Sequence, residues 1–70
     1  MKTTAIITKE QALNIANELI ANNSRIAFEY STEYAFKLIF VGQYTSETVL
    51  KYTNVDGREQ LVYNENYISL

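Results

Sequence analysis

Apolar residues recur at two different spacings along the chain, and the change of spacing predicts one helix followed by a sheet. From Lys9 to Asn22 the spacing is three and four, the period of a single helical stripe. From Arg25 onward polar and apolar residues largely alternate, which is the period of strands. Before the helix, the β-prone stretch Thr3 to Ile7 predicts a short first strand.

Both ends of the predicted helix carry capping residues. Thr8 is three residues before Gln11, so the two side chains can cap each other's backbone amides in a capping box. At the other end, Asn22 and Asn23 suit a stop, because asparagine tolerates the left-handed conformation at a helix C-terminus. We therefore expect a helix from about Lys9 to Asn22.

The alternating region divides into four strands and a final segment. The predicted strands are Arg25 to Ser31, Tyr34 to Val41, Ser46 to Thr53 and Arg58 to Tyr63. The second of them is apolar on both faces, which is typical of an interior strand. Asn54 to Gly57 fits a type I turn. Asn64 to Leu70 leaves three alternatives open: an edge strand, a helical turn or a tail.

The element order β-α-β-β-β-β predicts an α+β fold in which residues 1–70 form one domain. A single N-terminal helix packs on one face of a four- to five-stranded, mainly antiparallel sheet. On the first sheet strand, Ile26, Phe28 and Tyr30 are expected to share a face. The face that takes the helix should carry the apolar side chains Phe28, Phe36, Leu38 and Phe40.

No second helix is predicted to cover the other face of the sheet. That face should carry a mixture of branched aliphatics and lysines, which is typical of an interaction surface: Ala27, Lys37, Ile39, Val41, Val49, Lys51 and Val62. Two alternatives stay open. The C-terminal Tyr67, Ile68 and Leu70 could fold over this face, or the sheet could show a moderately polar face to water.

Six tyrosines are a second candidate feature, because tyrosine adds a large contact area and a hydrogen-bonding tip at interfaces. Tyr44, at a hairpin connection, and Tyr63 and Tyr67, near the C-terminus, are the candidates for partner binding. High strand propensity is the alternative explanation for tyrosines in general.

The amino-acid composition argues against nucleophilic catalysis and metal binding. The chain has no Cys and no His, so it lacks thiolate ligands and the usual general base of a nucleophilic triad. Glu29 and Glu47 are interpreted as solvated strand residues, and Asp56 to Glu59 as a hairpin turn rather than a calcium loop. We expect no enzyme activity, metal or cofactor. Without a signal peptide or an apolar span, the predicted location is the cytoplasm, with no membrane partner.

Several short segments, taken in order, resemble the small YkfF-like proteins of enterobacterial plasmids and prophages. They are Thr8 to Ala12, Ile26 to Glu29, Phe36 to Phe40, the residues Val49, Lys51, Asn54 and Asp56, and Asn66 to Ile68. The chain departs from that family at Leu50 and Thr53, where the family has tryptophans. The resemblance implies a mobile-element origin in a bacterial host.

The expected function is therefore that of a small non-enzymatic phage- or plasmid-type protein that binds and inhibits a host protein. By class analogy it would belong with the anti-CRISPR or anti-restriction inhibitors. A structural homodimer of unknown role and a nucleic-acid-binding module are the alternatives. The formal net charge of -2 disfavours nucleic acid, which basic domains usually bind.

Overall fold

The computed structural model describes residues 2–69, with side chains from residue 3 onward. One α-helix packs against a five-stranded antiparallel sheet, which confirms the predicted α+β class and element order. The elements are β1 (Lys2–Ala5), α1 (Lys9–Asn22), β2 (Ile26–Ser31), β3 (Ala35–Val41), β4 (Ser46–Val55) and β5 (Arg58–Asn64). The spatial strand order is β1-β5-β4-β3-β2. Within residues 2–69, no helix has the length and apolar character needed to cross a membrane.

The helix has the predicted bounds and the predicted capping box. The amide of Gln11 donates to Thr8 Oγ1 at 3.2 Å, and the amide of Thr8 donates to Gln11 Oε1 at 3.1 Å. The expected left-handed C-cap is wrong, because Asn23 is extended with φ -146°. Its side-chain Oδ1 instead accepts from the amide of Arg25 at 3.0 Å. This local bond turns the chain toward β2 without a left-handed residue.

The core lies between α1 and the middle of the sheet. Ala12 and Ala16, one turn apart, are fully buried, so small side chains let the helix approach the sheet closely. Opposite them, Phe36 and Tyr52 stack with ring centroids 5.2 Å apart. The prediction that the face of Phe36 and Leu38 takes the helix is confirmed, since both side chains are fully buried in the core cluster.

A β-bulge in β2 changes which side chains share a face. Phe28 is paired with Leu38, but Tyr30 is paired with Lys37, so Glu29 is the extra residue of this strand. Directly paired residues project to the same side of a sheet. Tyr30 therefore lies on the face of Lys37, and the expectation that it shares a face with Ile26 and Phe28 is wrong.

A second bulge, in β4, moves Val49. Leu38 is paired with Leu50 and Ile39 with Thr48, which leaves Val49 as the extra residue. Val49 is fully buried within the core cluster. The prediction that Val49 lies on the face opposite the helix is therefore wrong, and Thr48 occupies the position beside Ile39.

The β4–β5 hairpin closes through a two-residue turn. Val55 is paired with Arg58, and both residues between them have positive φ, 52° at Asp56 and 78° at Gly57. This is the signature of a type I′ turn, whose twist matches that of the flanking strands. The predicted type I turn starting at Asn54 is wrong, because β4 continues two residues beyond Thr53 to Val55.

Replacing Gly57 by alanine is expected to lower the free energy of unfolding by about 1–2 kcal/mol, the usual cost of a left-handed L-residue. No atom lies within 4 Å of the position an added Cβ would take, so the cost is purely conformational. Urea denaturation measures it. The matched control is Asp56→Asn, which keeps a residue that tolerates positive φ. Equal stability of Gly57→Ala and wild type would contradict the turn geometry.

The C-terminal segment forms a helical turn on the helix side of the sheet. The amides of Tyr67 and Ile68 both donate to the carbonyl of Asn64, at 3.0 and 3.2 Å. Ile68 is buried in the core and lies beside Ile15 and Leu19 of α1. Tyr67 and Ile68 therefore do not cover the opposite face, so this alternative is wrong for both residues. Leu70, the third residue proposed to cover it, lies outside the described residues.

Candidate functional site

The face of the sheet turned away from α1, called the open face below, has no element of residues 2–69 packed over it. Strand register places its side chains in rows that cross the sheet. One row runs across all five strands, through Tyr30, Lys37, Lys51, Val62 and Thr4. Further members of the face are Ala27, Ile39, Val41, Thr48, Thr53, Val55, Arg58 and Gln60.

The apolar part of the open face consists of branched aliphatic side chains separated by polar ones. Ile39 and Val62 are half-buried between their neighbours on the sheet. Val41 and Val55 are 47% and 63% exposed near two ends of the sheet. Exposed aliphatics of this kind contribute to binding when a partner removes them from water.

The charges on the open face have an unusual arrangement. Lys37 and Lys51 are directly opposite each other on β3 and β4. Lys37 Nζ is 3.3 Å from Glu29 Oε2, whereas Lys51 is exposed and forms no ion pair with the described side chains. Alternation along β5 places Arg58 on the same face as Val62. The centre of the open face is therefore cationic, although the whole chain is acidic.

Glu29 is the one carboxylate that register and ion pairing place on the open face. The others lie on the helix, in connections or turns, or on the helix side of the sheet: Glu10, Glu18, Glu33, Glu47, Asp56, Glu59 and Glu65. The open face is thus locally cationic, with Lys37, Lys51 and Arg58 against Glu29, although Lys9 and Arg25 lie elsewhere. Such a local excess of positive charge gives a surface an electrostatic preference that net charge does not reveal.

The structure brings together five of the residues predicted to bind a partner, and separates the other four. The five on the open face are Lys37, Ile39, Val41, Lys51 and Val62. Val49 and Tyr63 are buried, at 0% and 7% exposure, so a partner cannot reach them. Tyr44, at 90% exposure, lies in the β3–β4 connection, and Tyr67 lies on the helix side.

Sequence reasoning misplaced Tyr30 and did not consider Arg58. Tyr30 lies on the open face only because of the β2 bulge, which nothing in the alternation of the sequence marks, whereas Glu29 is on the face of Ala27, as alternation predicts. Arg58 could have been found, because it lies two and four residues before Gln60 and Val62 on one strand.

The two carboxylates with the most hydrogen bonds hold the fold together. Glu59 Oε2 accepts from Tyr52 Oη and from the amide of Lys9, both at 2.8 Å. Glu47 accepts from Asn64 Nδ2 at 2.8 Å and from Tyr67 Oη at 2.9 Å. These contacts join separate elements, so both side chains are interpreted as structural.

Two tyrosines have raised pKa values for physical reasons visible in these contacts. Burial, together with the hydrogen bond to the Glu59 carboxylate, raises the pKa of Tyr52. The hydrogen bond to Glu47 raises the pKa of Tyr67, with a smaller contribution from burial. In both cases the neutral hydroxyl is stabilised as a donor, which opposes a role as a base.

Sites for small ligands are poorly developed in the described part of the chain. A shallow groove of about 220 Å³ runs between α1 and the C-terminal turn, lined by Ile15, Leu19, Tyr67 and Ile68 among others. Within residues 2–69, no group of three or more potential metal ligands comes together. The open face is therefore the most developed candidate site of the molecule.

These features define the chain as a small α+β protein in which α1 covers one face of the sheet and no element of residues 2–69 covers the other. Comparison with known proteins finds no family model, curated protein or solved structure that matches it. The candidate site therefore rests on geometry alone, and the YkfF-like resemblance stays a prediction.

Proposed function

We propose that this protein is a non-enzymatic binding protein that docks a partner protein on its open face. The observation that carries the proposal is that α1 and the C-terminal turn pack on the same side of the sheet. Half-buried aliphatics and cations that outnumber the carboxylate Glu29 consequently face solvent together on the other side. A face with an apolar component and a charged component is typical of protein interfaces.

The size of the open face indicates that a partner would also contact neighbouring connections. Five strands spaced about 4.8 Å apart, with about six residues each, give a plane of roughly 400–500 Å². A standard interface buries roughly 800 Å² on each partner. Tyr44, exposed beyond the end of β3, and Val55, at the opposite end of β4, are positioned to extend the contact.

Inhibition by occlusion is the activity that best fits a protein of this kind. Binding over a host protein's functional surface needs shape and charge, and needs no catalytic group. Together with the resemblance to plasmid and prophage proteins, this supports an inhibitor of the anti-CRISPR or anti-restriction class, acting in the cytoplasm of a bacterial host. That assignment is an analogy of class rather than a consequence of the fold.

Charge argues against a homodimer formed through the open face. A two-fold dimer would bring the same patch of both copies together. Each copy would then pack a face that carries Lys37, Lys51 and Arg58, with Glu29 as its carboxylate, against a face of the same net positive charge. Like charges facing each other in a desolvated interface are costly, so the proposal favours a different partner.

The decisive experiment replaces the two central aliphatics by aspartate. Ile39→Asp/Val62→Asp should abolish capture of the partner from an enterobacterial host lysate, because two carboxylates would be desolvated at the centre of the contact. The far-UV spectrum should remain that of the wild type, since both side chains are only half-buried.

A matched control for charge is Asn14→Asp/Asn17→Asp, which adds the same two charges to exposed positions of α1. It should capture the same partner as the wild type does. Undiminished capture by a folded Ile39→Asp/Val62→Asp variant would show that the open face is not the docking surface.

A further inference from the structure

The Lys37–Lys51 pair is a local arrangement that the fold itself does not require. Like charges directly opposite each other on neighbouring antiparallel strands destabilise the pairing. Uncharged residues occupy the equivalent positions of the next row, where Ala35 of β3 is opposite Thr53 of β4. Residues that destabilise the fold locally, as two facing lysines do, are expected at functional sites.

Glu29 relieves this repulsion at only one of the two lysines. Glu29 Oε2 lies 3.3 Å from Lys37 Nζ, while Lys51 has no such partner among the described side chains. Lys51 is flanked across the sheet by Val62 and by Lys37. The open face thus presents an unneutralised ammonium group next to a half-buried aliphatic side chain.

We propose that the Lys37–Lys51 pair receives carboxylates from an acidic segment of the partner protein, with Ile39 and Val62 contacting aliphatic side chains of the same segment. This inference rests on the proposed function and supplies the chemistry of the partner. Charge complementarity carries it, because the open face holds three cations and one carboxylate on a chain whose formal net charge is -2. Glu29 then acts as an internal competitor for Lys37.

The same face is poorly suited to nucleic acid. Sheets that bind single strands stack bases on exposed aromatic rings. Tyr30, at 36% exposure, is the aromatic ring that register places on the open face. Phe28, Phe36 and Phe40 face the helix side. Cations without a stacking platform favour a protein carboxylate as the ligand.

A titration followed by ¹H–¹⁵N NMR tests the proposal with synthetic probes in place of the partner. The probes are a peptide of alternating Glu and Val, the same peptide with Lys for Glu, and a single-stranded DNA oligonucleotide. The acidic peptide is expected to shift the amide signals around Lys37, Lys51 and Val62. The basic peptide should leave them unchanged, and DNA should bind more weakly than the acidic peptide.

Three variants test the expected direction of the change in affinity for the acidic peptide. Lys51→Glu should weaken the acidic peptide by about tenfold or more, which corresponds to one lost charge-assisted contact and one new repulsion. Glu29→Gln should strengthen binding about two- to threefold, because it frees Lys37. Asn14→Glu/Asn17→Glu changes the net charge as much as Lys51→Glu does, and should leave the affinity unchanged.

Lys51→Glu should also raise the melting temperature by about 1–4 °C, since it replaces a like-charged pair by an opposite one. Higher stability together with weaker binding in this variant would indicate that Lys51 serves binding and not the fold. Absence of binding by the acidic peptide, equal binding of the basic peptide, or tighter binding of DNA would each overturn the proposal.

Failure of this inference can be told apart from failure of the proposed function. If the captured partner is lost in Ile39→Asp/Val62→Asp but retained at full affinity by Lys51→Glu, the open face binds a protein through other chemistry. If the partner is retained by a folded Ile39→Asp/Val62→Asp variant, the docking surface itself is wrong.

Discussion

Replacing Phe36 by alanine is expected to remove about 3–5 kcal/mol from the free energy of unfolding, the usual cost of deleting a buried phenylalanine. Phe36 is fully buried, stacks on Tyr52 and meets the edge of Phe28 at a centroid distance of 5.7 Å. A domain of this size has a total stability of roughly 4–10 kcal/mol. The substitution should therefore remove about half of the total stability, which urea denaturation measures.

The matched control lies three residues further along the same strand. Ile39 is half-buried on the open face, so Ile39→Ala should cost about 1 kcal/mol, well below the cost of a core cavity. Phe36→Leu retains much of the volume and should give an intermediate loss while the protein remains folded. Equal losses for Phe36→Ala and Ile39→Ala would contradict the assignment of the two faces of β3.

Local signals predict the helix and the element order correctly, because each acts over a few residues. The capping box needs only Thr8 and Gln11, and it forms with both reciprocal hydrogen bonds. The interior position of β3 follows from its apolar residues on both faces, and β3 indeed lies between β2 and β4. Short antiparallel connections then leave few other arrangements for consecutive strands.

The errors arise where one residue shifts the register. An alternating pattern assigns faces by counting, so each bulge reverses the assignment for everything beyond it. Glu29 and Val49 are such residues, and neither has a sequence feature that separates it from its neighbours. The Asp56–Gly57 pair does carry a signal, since Asp-Gly is a preferred type I′ turn sequence, and the prediction of a type I turn overlooks it.

The candidate site is predictable in its centre and unpredictable at its margins. Lys37, Ile39 and Val41 follow from alternation along a strand without a bulge of its own. The prediction that Tyr63 binds a partner, based on its place near the C-terminus, is wrong. Its register with Leu50 places it in the core instead. The two faces of a strand without a bulge can thus be predicted from sequence, whereas bulges and the cover provided by terminal segments require the structure.

Glu59 joins three elements through one carboxylate oxygen, and its loss is expected to be the most damaging polar substitution argued for this protein. Oε2 accepts from the hydroxyl of Tyr52 on β4 and from the amide of Lys9 at the start of α1. Tyr52 is fully buried, so Glu59→Ala leaves its hydroxyl without this acceptor, at about 1–3 kcal/mol. Loss of an anion at the helix N-terminus adds about 0.3–1 kcal/mol.

Glu59→Ala should therefore lower the free energy of unfolding by about 1–4 kcal/mol, whereas Glu59→Gln, which keeps an acceptor oxygen, should lose about half as much. Adding Tyr52→Phe to Glu59→Ala should restore part of the loss, because the buried hydroxyl is then absent. Additive effects of the two substitutions in a double-mutant cycle would contradict a direct bond between them.

The pH dependence of stability provides an independent test of the same contact. The pKa of Tyr52 is raised in the folded protein, first by burial and then by the hydrogen bond to Glu59. Its contribution to stability is therefore complete below the ordinary tyrosine pKa of about 10, and is lost as the pH rises through the folded value.

Unfolding free energies should fall steeply above about pH 10 in the wild type and less steeply in Tyr52→Phe. Tyr67, whose raised pKa depends mainly on Glu47, contributes in the same direction in both proteins, so the difference between the two curves isolates Tyr52. Identical alkaline limbs would show that the hydroxyl of Tyr52 does not titrate differently in the folded and unfolded states, which would contradict both its burial and its hydrogen bond to Glu59.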